Sequence, residues 1–96
     1  MIRHIVFFKL KEGLPPEEGD RLIDALKGLK AKISFVRELE VGRDVGKKPN
    51  SYDIVLNTLF HTMDDVEAYA VHPDHVEVVK LVRETCQSSV KVDYPL

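Results

Sequence analysis

Seven residues, Tyr69-Ala70-Val71-His72-Pro73-Asp74-His75, gather a phenol, two imidazoles and a carboxylate around a single proline. Proline lacks an N–H and restricts the residue before it, so the stretch reads as a helix-to-helix corner, a natural rim for a pocket. Tyr69 and His72 are three apart on a helical segment and share a face. His75 falls in the first turn of the next helix, where the positive helix end favours the neutral, basic imidazole. A tyrosine hydroxyl beside such a histidine can hydrogen-bond a substrate carbonyl while the histidine takes an adjacent proton. The competing reading is corner capping with Tyr69 packed in the core, since perturbed groups also arise structurally.

Two further residues have the same double reading. His4 lies in an apolar first strand and Asp53 near the start of the third. With those strands as parallel neighbours, the two side chains meet at one end of the sheet. A carboxylate accepting from the imidazole then fixes its tautomer and raises its basicity, or the pair is a structural hydrogen bond closing the core. Tyr69, His75 and His4 are therefore the candidate catalytic set, with His72 and Asp53 bordering the ligand. His72, Asp74 and His75 lack the spacing of a common zinc helix, and Pro73 disrupts their shared face, so no metal is expected. Neither a phosphate-binding glycine loop nor a Gly-x-Ser-x-Gly elbow occurs, and no organic cofactor is expected. His61 reads as a solvated loop residue.

The elements that must position these groups follow from periodicity and breakers. Ile2 to Leu10 reads as a strand. Pro15 and Pro16 open a helix whose Leu22, Ile23, Leu26, Leu29 and Ile33 keep helical spacing to about Lys32. Phe35 to Val41 is a second strand, Gly42 to Asn50 a polar loop, and Tyr52 to Phe60 a third strand. Thr62 with Asp65 resembles a capping box for a short helix, and Asp74 with Glu77 gives a second such signal for the helix through Cys86. Ser89 to Tyr94 is the last strand. The order β-α-β-β-α-β, its second helix split at Pro73, is the ferredoxin-like α+β arrangement: a four-stranded antiparallel sheet with helices on one face, and the first and third strands central and running parallel.

Both faces of the central strands are apolar. Ile2, Val6 and Phe8 oppose Ile5 and Phe7; Tyr52, Ile54, Leu56 and Phe60 oppose Val55 and Leu59. Helices cover one face, and strands apolar on both faces are buried on both. A second copy, sheet against sheet with two-fold symmetry, supplies the missing cover, so the expected partner is the chain itself.

Bulk properties agree. The 96 residues suit one domain spanning 1–96, with 44% hydrophobic and 31% charged residues. A net charge of −2 gives no footprint for nucleic acid or an anionic membrane. No apolar run is long enough to span a bilayer, and no signal-peptide pattern opens the sequence. The single cysteine, Cys86, suits a reducing, cytoplasmic compartment and reads as a packed thiol.

The opening Ile2-Arg3-His4-Ile5-Val6 with Phe8-Lys9, Asp53 heading the third strand, the Tyr69…His72-Pro73-x-His75 corner and the closing Val92-Asp93-Tyr94 together resemble the stress-responsive A/B barrel (Dabb) family. The resemblance implies a ferredoxin-like subunit pairing as a dimeric α+β barrel, in a family mostly without assigned activity. One plant branch holds a polyketide cyclase that closes a linear tetraketide by an aldol reaction. By that resemblance Tyr69 and His75 match a catalytic pair and His4 a pocket histidine, while Asp53 stands where the cyclase has a second histidine. The implied functions are binding of a small apolar or aromatic molecule without turnover, or cofactor-independent cyclase, lyase or isomerase chemistry.

Overall fold

The computed structural model describes residues 1–96. The elements are β1 (Ile2–Leu10), α1 (Pro16–Lys27), α2 (Leu29–Lys32), β2 (Glu38–Arg43), β3 (Ile54–Phe60), α3 (Met63–Val71), α4 (Pro73–Thr85) and β4 (Cys86–Pro95). The sheet order is β2-β3-β1-β4, and every neighbouring pair is antiparallel.

The expected parallel pairing of β1 and β3 is therefore wrong. Ile2 stands opposite Phe60, and Phe8 opposite Ile54. The helical crossover makes β1 and β2 point the same way, and β3 returns from β2 to insert between them, so it must oppose both. The heads of β1 and β3 consequently lie at opposite ends of the sheet. Asp53 sits beside the far end of β1, where its Oδ2 accepts from the Leu10 N–H at 2.8 Å and its own N–H donates to the Phe8 carbonyl at 2.9 Å. The β1–β4 register shifts between Lys9 and Leu10. Asp53 thus satisfies a backbone donor where the ladder becomes irregular.

Element boundaries shift for local reasons. The first helix is interrupted at Gly28, and the single turn Leu29–Lys32 carries the apolar stripe onward. Leu22, Leu26, Leu29 and Ile33 are fully buried. Ser34 and Phe35 form a turn ahead of β2, closed by the Val36 N–H donating to the Ile33 carbonyl, and Val36 enters the core from that turn. The last strand begins earlier than its composition suggests, because α4 runs directly into it with Cys86 as the helix cap. Burial pushes the Cys86 thiol pKa up, in keeping with a packed, inert sulfur.

The helices cover the sheet face carrying His4, Phe8, Ile54, Leu56, Thr58 and Phe60, all buried. On the other face Phe7 lies between Val55 and Val90, and Ile5 beside Val92. Phe7 is 43% exposed and Val92 59%, so an apolar stripe crosses three strands of the uncovered face.

Each arm of the Pro73 corner has its own cap. Thr62 Oγ1 accepts from the Asp65 N–H at 3.2 Å, as the capping signal predicts. For α4 the cap is His72 rather than Asp74: its Nδ1 accepts from the Asp74 N–H at 3.1 Å, and Pro73 takes the first helical position. His72→Ala should lower stability in urea unfolding by about 1 kcal/mol, and His72→Asn should recover most of the loss, because asparagine also accepts from this N–H. Equal stability of His72→Ala and wild type would show the cap to be idle.

Candidate functional site

The split of the second helix brings Tyr69 and His75 together. Tyr69 is near the end of α3, two positions before its last residue, and His75 is in the first turn of α4. Pro73 ends the first helical run and starts the second, folding their rings to a centroid separation of 4.3 Å. The His75 Nδ1–H donates to the Ala70 carbonyl at 3.0 Å, an acceptor freed by the break in the helix. A carbonyl only accepts, so the proton resides on Nδ1 and Nε2 keeps its lone pair.

Tyr69 packs inward, 1% exposed, between Phe60 at 5.0 Å and His4 at 5.9 Å. Its hydroxyl is buried, and no protein group lies within hydrogen-bonding distance. Burial raises the phenol pKa well above its ordinary range, so this hydroxyl remains a donor.

His4 enters from the opposite wall. The antiparallel β1–β4 register sets it directly across from Asp93. Its Nδ1–H donates to Asp93 Oδ1, while Lys91 Nζ donates to Asp93 Oδ2 at 2.7 Å. Burial opposes ionisation of Asp93, but the Lys91 and His4 hydrogen bonds outweigh it and hold the carboxyl below its usual range. His4 therefore also has its Nδ1–H engaged and Nε2 free. The carboxylate that orients His4 is Asp93; the expected partner, Asp53, lies at the other end of β1.

These groups line one cavity of about 590 Å³ between the sheet and the α3–α4 pair. Its walls are mainly apolar, including Val6, Phe8, Leu26, Val66, Val78 and Val82, with Lys91 and Glu67 also contributing. Of the five residues singled out by sequence, Tyr69, His75 and His4 face this space. His72 lies outside it, engaged as the α4 cap and packed edge-on to Phe35. Asp53 also lies outside it. No three histidine, cysteine, aspartate or glutamate side chains converge as a metal-binding group. Asp93 entered the sequence reading only within the closing Val92-Asp93-Tyr94 motif, with no site role, and Lys91 did not enter it. The clue to Asp93 was topological: an antiparallel last strand beside the first brings its end to the start of β1.

The arrangement offers one buried hydroxyl donor flanked by two imidazoles, each with its other ring nitrogen occupied. It can hold a polar group of an otherwise apolar molecule, and an unprotonated imidazole there can accept a proton. The antiparallel sheet under a proline-split helix pair makes this a ferredoxin-like α+β protein with its cavity beneath the helices. The stress responsive A/B barrel domain model matches residues 2–96, and the chain belongs to that family. An uncharacterized protein of Streptomyces coelicolor is 34% identical over 86 residues, covering 88% of this chain and 89% of its own. A crystal structure of a dimeric ferredoxin-like protein of unknown function from Bacteroides fragilis has a TM-score of 0.85 at 39% identity, covering 99% of this chain and 95% of that one. Olivetolic acid cyclase of Cannabis sativa is 20% identical over 95 residues, 97% of this chain and 94% of the cyclase.

Burial lowers the His75 pKa most; its hydrogen bond to Ala70 acts the other way, and His4 and His72 lower it further. The folded protein thus binds a proton at His75 less readily than the unfolded chain. Stability from this group is present above its unfolded value of about 6.5 and declines as pH falls from there through the folded value. Asp93 is also depressed, but its contribution is lost only in the acid range at and below ordinary carboxylate values. His75→Gln should flatten the pH dependence of unfolding free energy just below neutrality and leave the acid limb in place. An unchanged slope would contradict this assignment.

Proposed function

We propose that the chain, as a single stress-responsive A/B barrel domain over residues 1–96, forms a homodimer and binds a small, largely apolar or aromatic molecule in the α3–α4 cavity. The observation that carries the binding role is the buried Tyr69 hydroxyl, without a protein partner, at a mainly apolar cavity. A buried donor left unpaired costs free energy, and a ligand acceptor would remove that cost. A volume of about 590 Å³ suits a molecule of drug-like or metabolite size. The reading invokes no metal or organic cofactor, and the buried single thiol is in keeping with a reducing cytoplasm. No helix is long and apolar enough to cross a membrane.

Dimerisation is supported by the apolar stripe on the uncovered sheet face and by the Bacteroides fragilis relative, which is dimeric. The proposed contact is sheet on sheet about a two-fold axis. Sedimentation at micromolar concentration should give a dimer, and Val92→Asp should yield monomer or unfolded protein, because it places an unpaired charge in that contact. A wild-type monomer would rule the contact out.

The second reading is cofactor-independent lyase, isomerase or cyclase chemistry. It is favoured by the commitment of His75 Nδ1–H to Ala70, which leaves Nε2 as a base beside Tyr69. In this scheme Tyr69 donates to a substrate carbonyl oxygen, His75 takes a proton from the adjacent carbon, and the resulting enolate keeps the Tyr69 hydrogen bond. His4 supplies a second acceptor. The similarity to olivetolic acid cyclase makes this chemistry worth assaying.

Tyr69→Phe tests the binding role directly. Its hydroxyl has no protein partner to lose, so the ligand-free variant should melt at or slightly above the wild-type temperature. In a thermal-shift screen of aromatic ketones, aldehydes and phenols, compounds stabilising wild type should bind the variant about tenfold more weakly, the effect of one hydrogen bond. A variant that binds them equally well, or is itself strongly destabilised, would remove Tyr69 from the ligand role.

A further inference from the structure

Lys91 has an unusual place for an exposed lysine. It lines the cavity and its ammonium donates to Asp93 Oδ2 at 2.7 Å, while the other oxygen of that carboxylate holds His4. The Asp93 side chain is only 11% exposed and the Lys91 side chain 62%. One nearly buried carboxylate is therefore shared between a buried imidazole and a cation reaching in from solvent.

Charge balance gives this sharing a consequence. A nearly buried carboxylate needs a positive partner or becomes costly. With His4 as its only neighbour, the favourable way to supply that charge is to protonate the ring, filling Nε2 and ending its use as an acceptor. Lys91 supplies the charge from outside the cavity instead. Asp93 stays ionised, and His4 donates to it through Nδ1. We infer that Lys91 is a positioning residue, acting through Asp93 to keep His4 a neutral acceptor with Nε2 directed to the cavity. The other ionisable groups around His4 are Tyr69, kept neutral by its burial, His75 across the cavity, and Glu67 on the cavity lining. None of these supplies a permanent cation. A neutral His4 makes the cavity suited to an uncharged ligand with its own hydrogen-bond donor, whereas a charged ring would draw anions.

This inference gains its functional meaning from the cavity as a ligand site, but the state of His4 is measurable without any ligand. The experiment is nitrogen-15 NMR of the histidine side chains in ligand-free wild type, Lys91→Met, Lys91→Arg and Asp93→Asn, with signals assigned by His4→Gln. Wild type should show a single neutral His4 tautomer protonated at Nδ1. Lys91→Met should raise the ratio of charged to neutral His4 at a fixed near-neutral pH by about threefold or more. Lys91→Arg, which keeps the cation, should restore the wild-type signal. Asp93→Asn should not reproduce the rise, because no carboxylate remains to stabilise the charged ring. Lys91 is exposed, so its replacement should leave the fold intact; Lys91→Gln serves as a second neutral variant should Lys91→Met fold poorly. A His4 signal unchanged in the neutral variants, or equally altered in Lys91→Arg, would overturn the inference. Loss of ligand binding with the expected His4 signals would instead overturn only the ligand reading.

Discussion

The central placement of β1 governs both the fold and the site. It is the strand with neighbours on both sides whose helix-facing residues include a histidine. An imidazole at 7% exposure needs hydrogen-bond partners, and they must come from the strands that flank it. The β1–β4 register supplies Asp93 for the ring, and β3 supplies Thr58, whose hydroxyl donates to the His4 carbonyl at 2.8 Å. A one-residue slip of β4 would turn Asp93 to the opposite face and leave both side chains without this pairing. The same register aligns Val90 and Val92 with Phe7 and Ile5 on the uncovered face. One ladder thus organises the polar end of the cavity and the apolar stripe behind it.

Much of this was legible in the sequence, for reasons that differ by element. The proline corner could be read because Pro73 constrains its neighbours whatever surrounds them, and Tyr69 and His75 are separated by only one local break. Their shared cavity follows from that break plus the inward face set by Val66. The apolar alternation of β1 and β3 was similarly local. The partner of His4 depended on strand direction, and assuming parallel central strands placed Asp53 beside it. The actual partner, Asp93, is far away in sequence and is chosen by pairing geometry alone. His72 is a further case: its type and position suggested ligand contact, but an imidazole nitrogen facing the free N–H groups of a helix start is a good cap, and that local demand determines its role.

The helical corner also shows where stability and binding pull apart. A continuous helix through residues 63–85 would satisfy more backbone groups than two helices joined at Pro73. The break frees the Ala70 carbonyl, which His75 then satisfies, and His72 satisfies the Asp74 N–H. The corner therefore recovers its lost hydrogen bonds with two histidines, and in doing so fixes their tautomers. His72 uses Nδ1 as an acceptor and His75 uses Nδ1 as a donor, so the two rings are opposite tautomers held by backbone groups. The Tyr69 hydroxyl is the buried side-chain polar atom of this corner that the protein leaves unpaired. Its neighbours Phe60, His4 and His75 are rings meeting it at inclined angles, which pack its body while offering its tip no acceptor at bonding distance.

The two faces of the sheet meet different physical demands. The helix face encloses the core and a cavity beside it: toward β4 the strand's own residues are mostly exposed. Beyond the buried Cys86 at its start, Asp93 is the one residue of that strand not exposed, and it pairs with His4. The far face carries apolar side chains with no cover of their own. A domain of this size buries a limited fraction of its surface, so placing that stripe against a second copy would stabilise the sheet from behind without rebuilding the cavity in front. Rigid strands backed in this way would also hold His4 and Asp93 in register while the helices above them adjust to an occupant. The division follows from strand periodicity, which sends successive side chains of one strand to faces with separate tasks.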